Sequence, residues 1–187
     1  MNNTNKSNVD CCFIVSSNSV KSYQKLSEDY SAIEPPTWAL LLAQSLRSVN
    51  FKVSLIDANA EKLNDKQILN KIFEISPRLI CLVVYGQNVN AGTTNMSGAT
   101  HISNYLKNNK INTPICFIGS HMQALPKETL INENSIDFIF TNEGVYALRN
   151  VLKLKQFEEN DLKNIKGIAY RSQNNVVINP PERIVPT

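Results

Sequence analysis

Three short segments combine residue types that suit holding a ligand more than transforming one. Tyr85-Gly86-Gln87-Asn88-Val89 opens a stretch running to Gly98 that carries three glycines, Gly86, Gly92 and Gly98, in thirteen residues. Amide and hydroxyl side chains lie between them, so the stretch can approach a large ligand closely and offer many uncharged hydrogen bonds. It reads equally as a mobile surface loop. Gly119-Ser120-His121 puts minimal side chains where a flat or threaded ligand can lie against backbone, and an ordinary tight turn accounts for it as well. Asn142-Glu143-Gly144 precedes a helix, where Glu143 can bind a ribose hydroxyl or simply favour the helix dipole. His101 and His121 both read as exposed polar residues.

Other chemistries lack their residues. There is no GxGxxG after the first strand and no GxxxxGK[ST], so dinucleotides and ATP have no phosphate-binding turn. No acidic cluster follows the first strand, which argues against a phosphoacceptor receiver. No Ser/His/Asp or Cys/His arrangement is placed for nucleophilic catalysis, so no catalytic residue is assigned. The four cysteines show no CxxC spacing and build no metal site. Cys81 and Cys116 lie inside apolar runs, where cysteine acts as a small buried hydrophobe.

The elements that must position these segments alternate along the chain. Cys11 to Ser16 reads as a buried strand and Ser17 to Glu34 as a long loop. Pro35 and Pro36 open a helix whose apolar face is expected from Leu40, Ala43 and Leu46 with Trp38, Leu42 and Val49, closed by Asn50. Lys52 to Asp57 is the second strand. Asn64 or Asp65 caps a helix with Ile68, Leu69, Ile72, Phe73 and Ile75 as its buried stripe, stopped by Ser76-Pro77. Leu79 to Tyr85 is a continuous apolar run, as in a central parallel strand. A helix from about Ala99 to Asn108, a strand at Pro114 to Ile118, a short helix near Lys127 to Leu130, a strand at Ile136 to Phe140 and a helix through Leu154 complete the series.

Five strands alternating with helices predict an α/β fold, a doubly wound, flavodoxin-like five-stranded parallel sheet. Gly167 to Arg171 and Val176 to Asn179 predict a short C-terminal β-hairpin. The chain divides into a disordered tail at 1–10, a domain at 11–155, and a hairpin and linker at 156–187. In such sheets ligands bind outside the carboxyl ends of the strands, which places all three candidate segments on one edge.

Composition narrows the partners. Hydrophobic residues at 42% and charged residues at 19% are ordinary for a globular protein. A net charge of +3 with scattered basic residues argues against nucleic acid. No run approaches the ~18 apolar residues of a membrane span. The residues before Cys11 lack the apolar core of a secretory signal, so a cytoplasmic location with reduced thiols is expected.

Several segments together carry a resemblance. They are Pro35-Pro36-Thr37-Trp38-Ala39-Leu40-Leu41-Leu42-Ala43, Ile56-Asp57-Ala58-Asn59-Ala60, Val84-Tyr85-Gly86-Gln87-Asn88, Ile118-Gly119-Ser120-His121 with Ala124-Leu125-Pro126, Asn142-Glu143-Gly144, and Ile165 to Arg171 with Asn179-Pro180-Pro181. In this order the chain resembles the N-terminal cobalamin-binding domain of B12-dependent radical SAM proteins, a Rossmann-like B12-binding fold.

The resemblance implies cobalamin at the carboxyl edge. Tyr85, Gly86, Gln87, Asn88 and Val89 would lie beside the lower corrin face. Gly119, Ser120 and His121 would line the channel for the nucleotide tail, and Asn142, Glu143 and Gly144 would contact its far end. The Asp-x-His-x-x-Gly loop is missing after the first strand, so no histidine ligand to cobalt is expected from this domain. Ser120 replaces the usual second glycine of the tail channel. CxxxCxxC is missing too, which assigns the iron–sulfur cluster and S-adenosylmethionine to a radical SAM domain absent from this chain and met in cis or in trans. The expected function is thus the cobalamin-binding module of a methyltransferase-like radical SAM enzyme, with no catalysis by this chain alone. The alternative is a cofactor-free interaction or regulatory module that keeps the fold.

Overall fold

A computed structural model of the chain describes residues 9–16, 35–85, 89–173 and 175–183, without the side chains of 89–94. The expected loop at 17–34, most of the expected N-terminal tail and the end of the linker fall outside the described residues.

Strand β1 (Val9–Val15) begins two residues before the expected start, inside the expected tail. Its central residues alternate between the two faces of the sheet. Cys11 and Phe13 enter one core layer, Cys12 and Ile14 the other. The same holds for β3 (Pro77–Val83) and β4 (Ile115–Ile118), whose runs are buried on both sides. With β2 (Val53–Asp57) and β5 (Phe138–Phe140), these strands form a parallel set in the order β2-β1-β3-β4-β5.

The sheet has seven strands rather than the expected five, because the hairpin is part of it. β6 (Ile168–Ser172) pairs antiparallel with β5, matching Phe138 with Tyr170 and Phe140 with Ile168, and β7 (Asn175–Ile178) pairs with β6. A three-residue β5 left at the edge would expose unpaired backbone and two buried phenylalanines.

Helix α1 (Thr37–Arg47) buries Ala39, Leu42, Ala43 and Leu46, a spacing that fits one face of a helix. Trp38, Leu40 and Val49, expected on that face, are exposed. Nearly continuous apolar sequence from Trp38 to Ala43 leaves the helical phase open, and packing against β1 selects it.

Helix α2 (Asp65–Ile75) starts in a capping box, Asn64 accepting from the Gln67 N–H and Gln67 accepting from the Asn64 N–H. Ile68, Leu69 and Ile72 are buried as expected, but Phe73 points to solvent. Ser76 in the left-handed region ends the helix and Pro77 begins β3.

Helix α3 spans Val89–Asn108, so most of the expected glycine-rich loop is helical. Two glycines inside a helix cost ~1 kcal/mol each. Packing of Met96, Ala99, Ile102 and Leu106 against the sheet outweighs that cost.

The remaining helices are α4 (Ser120–Ala124), α5 (Pro126–Asn132), α6 (Val145–Leu152) and α7 (Glu159–Leu162). One layer joins the sheet to α2, α3, α4 and α5, and the other joins it to α1, α6 and α7. Arginines close the helix ends. Arg78 donates to the carbonyls of Leu152 and Leu154, and Arg171 to those of Leu130 and Ile136. All four cysteines are buried free thiols. Among the described residues, no helix is long and apolar enough to cross a membrane.

Candidate functional site

The chain leaves β1 toward β2 on one side and β3 toward β4 on the other, so the winding reverses between β1 and β3. α1 then packs in the layer of Phe13 and Cys81, and α3 in the layer of Ile14 and Leu82. Divergence of the two connections opens a crevice at the carboxyl ends of β1 and β3.

Tyr85, two residues beyond β3, stands at this crevice. Its ring stacks on Trp38 from the first turn of α1, with centroids 4.6 Å apart and planes at 26°. Gln123 Nε2 on α4 donates to its hydroxyl at 2.9 Å, and Asn95 Nδ2 on α3 donates to its carbonyl at 3.2 Å. Burial pushes the Tyr85 phenol up to about 12, opposed by the Gln123 hydrogen bond and reinforced by the Glu143 carboxylate. Tyr85 is therefore a neutral aromatic wall held from three elements.

Gly119 is extended, with φ 160° and ψ 173°. A Cβ there would stand 2.2 Å from the Val84 carbonyl oxygen, so the missing side chain lets the end of β4 close against the end of β3. Ser120 and His121 belong to α4 rather than to a loop. His121 joins Met96, Thr100, His101, Asn104 and Glu133 around an open groove of about 510 Å³ beside α3, in the layer away from α1. Burial raises the Glu133 carboxyl and the neighbouring His121 opposes it.

The Asn142 amide is engaged at both ends. Its Oδ1 accepts from the Gly144 N–H at 3.0 Å, and its Nδ2 donates to the Glu182 carbonyl at 3.2 Å. Gly144 has φ 74°, and a Cβ there would lie 2.2 Å from Ile118 Cδ1, so α6 starts directly against β4. The segment after β7 is strapped over this start. Gly167 N–H donates to the Pro180 carbonyl, Asn150 Nδ2 to the Glu182 carboxylate at 3.2 Å, and the Arg183 guanidinium lies 4.2 Å over the Tyr146 ring.

The structure thus brings Tyr85 and the exposed Glu143 to one crevice and uses Asn142 and Gly144 to shape its border, while His121 lines the groove beside α3. Gly86, Gln87 and Asn88 lie outside the described residues, and of Val89 only its place at the start of α3 is described. Among the described residues, no cluster of three or more His, Cys, Asp or Glu side chains is placed to hold a metal.

A family model described as the B12 binding domain matches residues 26–152, from the segment before α1 through α6. The chain belongs to the B12-binding domain family.

This B12-binding domain is 28% identical over 181 residues to a probable polyketide synthase of Dictyostelium discoideum, covering 89% of the chain and 7% of that protein. It spans 7% to 31% of the length of the curated relatives it matches. Among solved structures it is similar to TsrM, a radical S-adenosylmethionine methyltransferase from Kitasatospora setae. The TM-score is 0.69 at 15% identity, over 91% of this chain and 30% of that one. It is also similar to OxsB, a cobalamin-dependent S-adenosylmethionine radical enzyme solved with aqua-cobalamin and S-adenosylmethionine bound. There the TM-score is 0.65 at 22% identity, over 95% of this chain and 23% of that one. Both likenesses are likenesses of fold.

The crevice of this B12-binding domain fits a corrinoid by the chemistry of its walls. Trp38 and Tyr85 present flat apolar faces, and Gln123 a neutral amide. Trp38 and Gln123 both contact Tyr85, which the sequence does not show. Apolar type alone puts Trp38 on the buried face of its helix. Its place just after Pro35-Pro36, where the connection from the first strand enters the helix, was the signal that could have set it at the carboxyl edge.

Proposed function

We propose that this B12-binding domain is the cobalamin-binding module of a radical SAM enzyme of methyltransferase type. The observation that carries the reading is the match to the B12 binding domain, and the Trp38–Tyr85 stack and the Gln123 amide beside the reversal point support it. The fold likeness to TsrM and OxsB supports it. In this reading Tyr85 to Val89 flank the corrin, the Gly119-Ser120 backbone borders the nucleotide tail, and Asn142 to Gly144 shape the far end. Cobalamin supplies cobalt chemistry when bound, while this chain supplies position and shielding from water. Cleavage of S-adenosylmethionine at an iron–sulfur cluster belongs to a radical SAM domain fused to this one or met as a partner. The working compartment is the cytoplasm, which keeps thiols such as these four free cysteines reduced.

Equilibrium titration with hydroxocobalamin, read by absorbance, tests the proposal. Saturable binding is expected, with a spectrum free of histidine ligation and unchanged by His101→Ala or His121→Ala. Protein that stays colourless at saturating cofactor overturns the reading in favour of a cofactor-free module.

A further inference from the structure

Trp38 is the single tryptophan of the chain, and it remains 47% exposed although one face is covered by Tyr85. Tyr85 is tethered from the opposite side of the crevice, at its hydroxyl by Gln123 of α4 and at its carbonyl by Asn95 of α3. The neighbouring buried residue Ala39 fixes the first turn of α1 on the sheet. The indole is thus supported from behind, fixed at its base, and open at the mouth of the crevice. A large aromatic surface held in this way is already ordered and only partly dehydrated, so a second flat ring can stack on it with little loss of side-chain freedom.

Resting on the cobalamin-binding reading above, we propose that Trp38 is a specificity-determining residue, stacking the planar heteroaromatic base of the corrinoid's nucleotide tail on its open indole face. The corrin macrocycle carries amide chains and methyl groups on both of its faces and cannot lie flat on an indole. The base is a flat bicyclic ring of indole size. Trp38 therefore distinguishes corrinoids that carry such a base from those that lack it. Tyr85 acts as a positioning residue that backs the indole.

The test titrates the full chain and its variants with hydroxocobalamin and with dicyanocobinamide, which lacks the nucleotide base. Trp38→Ala is expected to weaken hydroxocobalamin about tenfold, the size of one aromatic stacking contact. Dicyanocobinamide binding is expected to stay within about twofold, since no stacking contact is lost. Trp38→Phe should restore most of the loss, and Leu41→Ala, on the exposed surface of the same helix, should change neither ligand. Circular dichroism and melting temperature confirm that each variant is folded. If both corrinoids bind the parent and Trp38→Ala weakens neither, or weakens both equally, the base-stacking role is overturned while the cobalamin reading stands. If neither corrinoid binds the parent, the cobalamin reading fails and this role with it.

Discussion

At Gly119 the backbone is extended and any residue could adopt its dihedral angles, so the obstacle to a side chain is the Val84 carbonyl oxygen 2.2 Å from where Cβ would stand. Neither strand end can yield without disturbing the β3–β4 ladder, in which Val84 N–H donates to the Ile118 carbonyl at 2.7 Å. Gly119→Ala is expected to lower stability by about 1–3 kcal/mol without any ligand present, measured from the urea midpoint. A bulkier residue there would block the site by disturbing the fold, so it does not probe the ligand alone. Asn142 supports a second prediction. Asn142→Ala removes an acceptor from the Gly144 N–H and a donor to the Glu182 carbonyl, for an expected loss of about 1–3 kcal/mol. Asn142→Asp keeps the acceptor and should lose less, and a melting-temperature series separates the two. The sequence showed an Asn-Glu-Gly turn before a helix but not the Asn142 donation to Glu182, forty residues away, because nothing local specifies that partner.

Among the elements, α2 was the most legible, since its start, stripe and stop are all local signals. Asn64→Ala should cost about 0.5–2 kcal/mol through loss of the capping box, read by chemical denaturation. Phe73 escaped that reading because apolar type does not reveal which helix face meets the sheet. The central strands carry a pH dependence. Burial pushes the Cys12 thiol up to about 12, and the Tyr85 phenol moves the same way. A group whose folded pKa is raised holds its proton after the unfolded chain has lost it. For these two groups the stabilisation is therefore full below the unfolded values near 9 for Cys12 and 10 for Tyr85, and declines as pH rises toward the folded ones. Urea unfolding at pH values from about 7 to 11 should show that decline, and Cys12→Ala should make it shallower. A slope unchanged by the substitution would remove Cys12 from the account.

On the scale of the whole molecule, β6 and β7 complete the sheet. Ile168 and Tyr170 enter the α1 layer and Ala169 the α3 layer, so the hairpin contributes to both sides of the core. A chain ending at residue 155 would leave β5 unpaired on one side and Phe138 and Phe140 partly uncovered. It is expected to bind 1-anilinonaphthalene-8-sulfonate and to lose cooperative unfolding, whereas the full chain should unfold in one transition. Cooperative melting of the shorter chain with no dye binding would show that the hairpin is dispensable. The strap from Pro180 to Arg183 across α6 extends the same dependence to the border of the crevice.

The sequence by itself determined the α/β class, the order of the elements along the chain and the family. Each of these follows from periodicity, from turn and cap residues, or from motifs kept in order along the chain. Only the tertiary structure decided that the glycine-rich stretch is mostly helix, that Trp38 stacks on Tyr85, and that the hairpin closes the sheet. Those outcomes depend on which surfaces meet across long separations in sequence. Burial of Met96, Ala99, Ile102 and Leu106 overrides the local cost of helical glycine, and the packing of α1 on β1 sets which way the indole points.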